Sequence, residues 1–581
     1  MRSATRATTV VVFALAVAGP AAAQYKPAAE QAIEAPIVAP APLPSAATLS
    51  TEAPAIPGAP AQATTPAPAP APAAAATPTP AAPAAVAAAP AAPQPDPVVT
   101  AITERLKALA SDRSVPKADR EALETYYEAA EVRPVWTAAG GLSARAEAAM
   151  REIAAADDWG LRASDYTLPK RPVSGADAAT LAEAEVTMAL AVLEYARHAR
   201  GGRMDPTDLS FNIDRQPPQI EPLRVLADAA SAPNVDSYLR SLHPQHPQFE
   251  LLRQKYLEAR RAPEPQAEEP AQNPQSKGKT TAKKRAPEAR LAQRILYNME
   301  MWRWMPEDLG KLHVLANLPE YMKRVVKDGK VIHEERIIIG KIENQTPLFS
   351  DEMDHIVFHP YWGVPDSIKV KEIWPSLAGS GQVLNKYGLK IQRGGRDIDP
   401  RSVNWSSTDI RQFTVLQPPG PSNVLGVVKF MFPNKHQVYM HDTPTKNLFN
   451  SAQRTFSHGC MRVRNPVRFA EVILEQDKGW DAGRVGSLVK GGPQNNHIYL
   501  DRKIPVHVTY FTAVVGADGK LQTFPDVYGH EPKIQMGLDG KAHLIVKKKP
   551  TLTPPDAVTR LADTKQNYPI QNWMKQIFGN F

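Results

Sequence analysis

The chain of 581 residues holds one cysteine, Cys460. It lies in Phe456-Ser457-His458-Gly459-Cys460-Met461-Arg462, a run that gathers the residue types nucleophilic thiol chemistry needs. A thiol attacks as its thiolate, so it needs a base or a cation beside it. The oxyanion formed on the attacked carbonyl needs backbone N–H donors, and a glycine lets substrate come close to them. His458, Gly459 and Arg462 supply those types around the cysteine. His441 ends the strand-like run Gln437–His441, so it would project from a strand end to which a loop carrying Cys460 could return. Two other readings compete. Free cysteine packs well as a small buried hydrophobe. His441, His458 and Cys460 with a water would suit catalytic zinc, although no compact ligand pair such as HExxH or CxxC accompanies them.

These residues need a frame, and the C-terminal region has the hydrophobic period of one. Leu312–Leu318 and Tyr321–Val326 run up to Asp328-Gly329, a hairpin signal, and Val331–Ile339 follows. Further strand-like runs are His355–His359, Val424–Phe432 and Val506–Val515, the last followed by the turn Asp518-Gly519. Just after the cysteine, Asn465 reads as a helix N-cap, Pro466 suits the first helical position, and Phe469, Val472 and Ile473 form an apolar stripe. The middle of the chain, about 98–260, has helical spacing instead: Val98, Val99, Ile102, Leu106 and Leu109, then Ala179–His198, a strong helix former that ends before Gly201-Gly202. Tyr126, Tyr127, Trp136 and Trp159 read as packing residues, and nothing there carries nameable chemistry. The region reads as a scaffold, and the expected class is α+β multidomain: a helical scaffold domain plus a β-rich catalytic domain.

Composition sets the rest of the chain apart. Residues 1–23 read as an export signal, with Arg2 and Arg6, the apolar run Val10–Ala18, and Ala21-Ala22-Ala23 as a cleavage site. That implies a periplasmic protein, or one held by an uncleaved anchor. Residues 24–97 hold 19 of the 57 prolines and only five charged side chains, too little apolar surface to offset ordering entropy. Residues 261–290 form a Pro/Lys-rich linker, and the Lys277–Arg285 cluster within it reads as solvated rather than as a nucleic-acid patch. The formal charge of +8 leaves only a mild positive excess on the foldable part, which fits an anionic polymer such as cell wall and does not require nucleic acid. A lone cysteine also excludes an internal disulfide framework and any centre built from several thiolates.

The run His441-Asp442-Thr443-Pro444, followed by Ser457-His458-Gly459-Cys460-Met461-Arg462, resembles the active-site signature of L,D-transpeptidases with the YkuD-type catalytic domain. Met299–Pro306, Thr346-Pro347-Leu348-Phe349, His359-Pro360-Tyr361-Trp362 and Phe432-Pro433-Asn434 are similar to recurring segments of the family's large periplasmic branch. The resemblance is close over about 291–530 and loose over 98–260. It implies a catalytic domain at 291–530 with a lid insertion at about 371–423, and a tail at 531–581. It implies Cys460 as nucleophile, His441 as base, and the main-chain carbonyl of Asp442 as the group that orients the base. Gly459 and Cys460 would form the oxyanion hole, His458 would contact substrate, Arg462 would brace the loop or pair with a substrate carboxylate, and Ser457 would be structural. No cofactor or metal is implied.

The implied donor is a peptidoglycan tetrapeptide stem that loses its terminal D-alanine. The acceptor would be a second stem (a 3→3 cross-link), the N-terminus of an outer-membrane protein, or water. Carbapenem-type inhibitors would acylate Cys460, and the lid would govern acceptor choice and water exclusion. Two features depart from the family. The linker 261–290 occupies the place of a peptidoglycan-binding module, and the Pro/Ala stalk is longer than the fold needs. A non-catalytic wall-binding scaffold is the alternative of another class.

Overall fold

The computed structural model describes residues 96–129, 133–139, 141–170, 175–261, 278–379 and 382–547. The export signal, the Pro/Ala segment up to 95, residues 262–277 of the linker and tail residues 548–581 lie outside the described residues.

The scaffold is helical, as its spacing predicts. Helix α1 (Pro97–Leu109) starts with proline at its first position, and the Asp96 carboxylate caps it by accepting from Val98 N at 2.8 Å. Helices α2 (Lys117–Glu128), α3 (Ala144–Ala154), α5 (Pro222–Ser231) and α6 (Val235–Ser241) pack around the long α4 (Ala178–Gly201). Alanines at 182, 189, 196 and 199 are buried and let the neighbours come close. Trp136 and Tyr127 belong to this core. Helix α4 runs through Gly201 and stops at Gly202, whose φ of +88° suits glycine.

Helix α7 (Pro247–Arg261) pairs with α8 (Gly278–Arg303), which begins inside the segment expected to be linker. The last turns of α8 are deeply buried: Ile295, Met299, Met301 and Trp302 join scaffold residues Leu209, Ile213, Phe249 and Leu252 in the same core as the catalytic sheet. The end of the helical region and the β region therefore share a core, separate from the one around α4.

That sheet has nine strands: β1 (Leu312–Asn317), β2 (Met322–Lys327), β3 (Lys330–Gly340), β4 (Phe349–Phe358), β5 (Val428–Met431), β6 (Met440–His441), β7 (Thr455–Ser457), β8 (Met461–Val463) and β9 (Asn496–Thr509). Their order is β7-β3-β8-β6-β5-β4-β9-β1-β2, and a further β3–β2 pairing closes the sheet on itself. Asp328 and Gly329 both have positive φ, +47° and +75°, so the expected hairpin turn between β2 and β3 is of the primed kind. Most strand cores fall where the period predicts them. The expected Val506–Val515 strand divides, however: β9 ends at Thr509, and Ala513–Val515 turns away to pair with Leu521–Thr523 across Asp518-Gly519. Helix α9 (Pro466–Lys478) covers the inner face through Phe469, Val472 and Ile473. Asn465 precedes it, but its side chain donates to Glu335 Oε2 and does not cap the helix.

Between β4 and β5 the chain leaves the sheet and builds a small unit with its own core, including Trp362, Ile373, Trp374, Trp405 and Phe413, and its own four-stranded antiparallel sheet. This insertion encompasses the expected lid. Beyond 530, helix α10 (Glu531–Leu538) packs on α8: Arg294 pairs with Glu531 at 2.8 Å, and Ile534 and Leu538 enter the main core. The residues expected to begin the tail thus belong to the folded unit as far as that helix.

Candidate active site

Strands β6 and β8 run parallel with Met440 opposite Met461 and His441 opposite Arg462. Side chains alternate along a strand, and paired residues share a face. Met440 and Met461 therefore point into the core, where both are fully buried. Tyr439, His441, Cys460 and Arg462 fall on the opposite side. The parallel pairing of two short strands thus brings His441 and Cys460 to one face although 18 residues separate them.

His441 is buried, and its Nδ1 donates to the main-chain carbonyl of Asp442 at 2.5 Å. A carbonyl only accepts, so Nδ1 carries the proton and Nε2 keeps the lone pair. Burial, with Arg462 nearby, pushes the imidazole's pKa down to about 3, so the ring is neutral near pH 7. The Asp442 carboxylate has a separate task. It accepts from Val427 N at 2.9 Å, Thr443 N at 2.6 Å and Lys446 Nζ, which fixes the turn behind the histidine. Gly426, with φ of +58°, makes room for it, since a Cβ there would lie 2.2 Å from Asp442 Oδ2.

Cys460 is half-buried. Its Sγ lies 3.9 Å from Gln437 O. Burial raises the thiol to about 11, opposed by hydrogen bonds from Tyr439 and by the charges of Lys429 and Arg462. The resting pair is thus a neutral thiol and a neutral imidazole. Tyr439 and Lys429 escaped sequence reasoning. Tyr439 carried a readable signal, two residues before His441 and so on its face. Lys429 carried none, because only the β5–β6 register sets it opposite His441.

Gly459 has φ of +119°, and its carbonyl accepts from Thr346 Oγ1 at 2.7 Å. A trans peptide points its C=O and its N–H in opposite directions. With the Gly459 carbonyl held by Thr346, the Cys460 N–H is directed away from Thr346. Thr346 is fully buried, and its Oγ1 also accepts from Gly340 N at 2.9 Å, which locks the loop to β3. Ser457 is buried at the end of β7, paired with Gly340. Arg462 is buried with Nη1 donating to Thr445 Oγ1 at 3.1 Å, the position of a brace. His458 turns toward the insertion, its Nε2 2.9 Å from Glu372 Oε1. His441, His458 and Cys460 do not converge as ligands: among the described residues no group of three or more His, Cys, Asp or Glu side chains is arranged to hold a metal ion.

The scaffold reaches this site from behind. Asp214 N donates to Leu348 O at 2.9 Å, and Leu348 N to Asn212 O at 2.8 Å, next to Thr346. The Asp214 carboxylate holds Lys435 at 2.7 Å and His436 at 2.8 Å, in the loop whose Gln437 meets Cys460.

Residues 311–485 match the YkuD family, the L,D-transpeptidase catalytic domain. Over these residues the chain is similar to that family. Residues 121–255 match a second family, a scaffold domain, within the helical region just described. A Haemophilus influenzae protein named as a candidate L,D-transpeptidase is 28% identical over 251 residues, 43% of this chain. The chain spans about half the length of that relative. An L,D-transpeptidase from Mycobacterium smegmatis aligns over 34% of this chain and 58% of its own, at 12% identity and a TM-score of 0.17. The matched residues extend from the first strand of the sheet to the helices after Cys460, with the insertion inside them. Among the described residues no helix is long and apolar enough to cross a membrane.

Proposed function

We propose that the protein is a periplasmic L,D-transpeptidase in which Cys460 is acylated by a peptidoglycan tetrapeptide stem and passes the acyl group to the amine of a second stem, making a 3→3 cross-link. The observation that carries this reading is the tautomer of His441: with Nδ1 committed to the Asp442 carbonyl, the free lone pair on Nε2 lies on the face of Cys460. The thiol is protonated at rest, so His441 Nε2 takes its proton as Sγ attacks the carbonyl of the stem's third residue. The carbon–sulfur bond forms, and the peptide bond to the terminal D-alanine breaks. The proton on His441 leaves with the amine of that alanine. In the second half the acceptor nitrogen attacks the thioester, the carbon–sulfur bond breaks, and a proton from nitrogen returns through His441 to Sγ. The Cys460 N–H, set by the Thr346 grip on Gly459, is the donor offered to the oxyanion in both halves. The Tyr439 hydroxyl and Lys429 supply positive potential as sulfur becomes anionic.

Incubation of the mature protein with a carbapenem, followed by intact mass measurement, tests the nucleophile. One adduct is expected on the parent and none on Cys460→Ala. An unmodified parent protein would favour the wall-binding scaffold. Muropeptide analysis of walls made with and without the protein tests the acceptor. 3→3 dimers are expected; protein-linked stems or trimmed tripeptides in their place would reassign it to an anchored protein or to water.

A further inference from the structure

Apart from the face that carries Cys460, the seam between scaffold and sheet holds a cavity of about 360 Å³. Seams of this kind are common places for small molecules to bind. Scaffold residues 214–216, the end of α8, the start of β4 and the loop 434–436 line it. Trp304 and Phe349, both buried, supply an apolar wall. Arg215, also in the wall, is only 5% exposed. Its guanidinium donates from Nη1 to Ser350 Oγ and from Nη2 to Val508 O at 2.5 Å. Both acceptors are neutral, and among the described residues no carboxylate pairs with Arg215. The charge of Asp214 reaches it, but that carboxylate is taken by Lys435 at 2.7 Å and His436 at 2.8 Å. A guanidinium has five donors, and a buried cation without a counter-charge is costly. Asp351 lines the same cavity with the opposite sign. It accepts from Glu352 N at 2.8 Å, and among the described residues no cation pairs with it. The wall thus offers a guanidinium and a carboxylate that the described fold leaves unmatched, beside two aromatic rings.

We propose that this cavity binds a free amino acid as its zwitterion, with the carboxylate on Arg215, the ammonium on Asp351 and the side chain against Trp304 and Phe349. A carboxylate meets a guanidinium through parallel N–H···O bonds, and Arg215 has donors to spare. An ammonium brings a full charge and three donors to Asp351. The zwitterion adds no net charge and meets both needs at once. A simple anion would be repelled by Asp351 and Asp214, and a simple cation by Arg215 and Lys435. The cavity also borders the segments that fix the nucleophile: Phe349 lies three residues after Thr346, and Gln437, whose carbonyl meets Cys460, follows His436. The site does not depend on the reading of Cys460 as a nucleophile. Only the choice of D-alanine as probe, the amino acid released in that reading, rests on it.

Isothermal titration of the full chain at pH 7 with D-alanine, D-alaninamide and N-acetyl-D-alanine tests the assignment. D-alanine should bind saturably. The amide lacks the carboxylate and the acetyl compound lacks the ammonium, so each should bind at least about tenfold more weakly. Asp351→Asn should weaken D-alanine about tenfold and Arg215→Gln by more. Asp351 holds no other ion pair among the described residues, so its variant decides the matter even if Arg215→Gln fails to fold. Acylation of Cys460 by a carbapenem should change D-alanine affinity by less than about twofold. No saturable binding up to about 50 mM, blocked derivatives that bind as well as D-alanine, or an unchanged affinity in Asp351→Asn would overturn the proposal. Binding lost on acylation would also overturn it and place the amino acid at Cys460. A protein that takes up no carbapenem refutes the nucleophile reading and leaves the titration with the blocked derivatives as the test of this site.

Discussion

Glu185, in the middle of α4, and Glu372, in the insertion that meets the catalytic loop, are both withdrawn from water, but they are treated differently. Glu185 is fully buried and receives four donors: Tyr127 Oη at 2.8 Å, Val135 N at 2.7 Å, Trp136 N at 2.9 Å and Thr137 Oγ1 at 2.8 Å. Burial still raises its pKa, but every donor comes from the fold itself. Glu372 has His458 on one oxygen and, among the described residues, no hydrogen bond on the other. The scaffold uses a buried charge as a tie between α4, α2 and the segment around Trp136. The catalytic domain keeps bonding capacity in reserve at Glu372. Saturation marks a structural carboxylate, and Glu372 lacks it.

The largest effect should come from the site's central atom. Cys460→Ala should abolish acylation, by more than about a thousandfold, with folding stability within about 0.5 kcal/mol of the parent. Stopped-flow acylation and chemical denaturation read the two quantities, and a large stability loss would mean that the thiol packs the core and does not serve chemistry. The converse comes next. Glu185→Ala should cost about 3–5 kcal/mol, because four donors lose a buried partner, while the folded fraction acylates at the parent rate. A slowed rate with intact stability would erase the distinction between the two carboxylates.

The sequence legibility of these two regions also differs. Cys460 and His441 are readable because their chemistry needs specific residue types close along the chain, and α9 and the Asp328-Gly329 turn are readable from the proline at the first helical position and from turn preferences. Glu185 reads as one more charge on a helix whose alanines dominate the pattern, and nothing local says that Tyr127 and Thr137 will fold onto it. Glu372 and Lys429 reach the site only through the insertion's fold and the strand register, which are long-range pairings. Helix α8 reaches back to Gly278, inside the expected linker, for a related reason: Lys, Ala, Glu and Arg are as well suited to helix as to solvated linker.

Acidification separates the regions more gently. Burial drives His441, His507 and His530 down to about 3 in the catalytic region, and His198 to about 3 and His246 to about 4 in the scaffold region. A histidine with a depressed folded pKa binds its proton first in the unfolded chain. Stability is therefore flat above pH 6.5 and falls as pH drops from 6.5 toward 4, by up to about 1.4 kcal/mol per pH unit for each such group. In the scaffold, Glu152, Glu185 and Glu194 have raised pKa values and work in the opposite sense, since their folded forms take up protons first. Amide exchange at pH 5 against pH 7.5 should therefore show the catalytic sheet loosening more than α4. Equal loosening would mean that the shared core makes both respond as one unit.

Thr346 offers the smallest and most selective test, because it is a saturated buried group inside the catalytic region. Its hydroxyl donates to Gly459 O and accepts from Gly340 N, so by the scaffold's rule it should matter for stability alone. The peptide it grips is the one whose N–H belongs to Cys460, which adds a chemical consequence. Thr346→Val keeps the volume and removes the hydroxyl. It should cost about 1–3 kcal/mol of stability and slow acylation of the folded protein about tenfold, as the oxyanion donor loses its fixed direction. Thr346→Ser, which retains the hydroxyl, should restore most of the rate. If Val loses stability but keeps the rate, the loop geometry is set by β7 and β8 alone, and saturated groups here are as purely structural as Glu185.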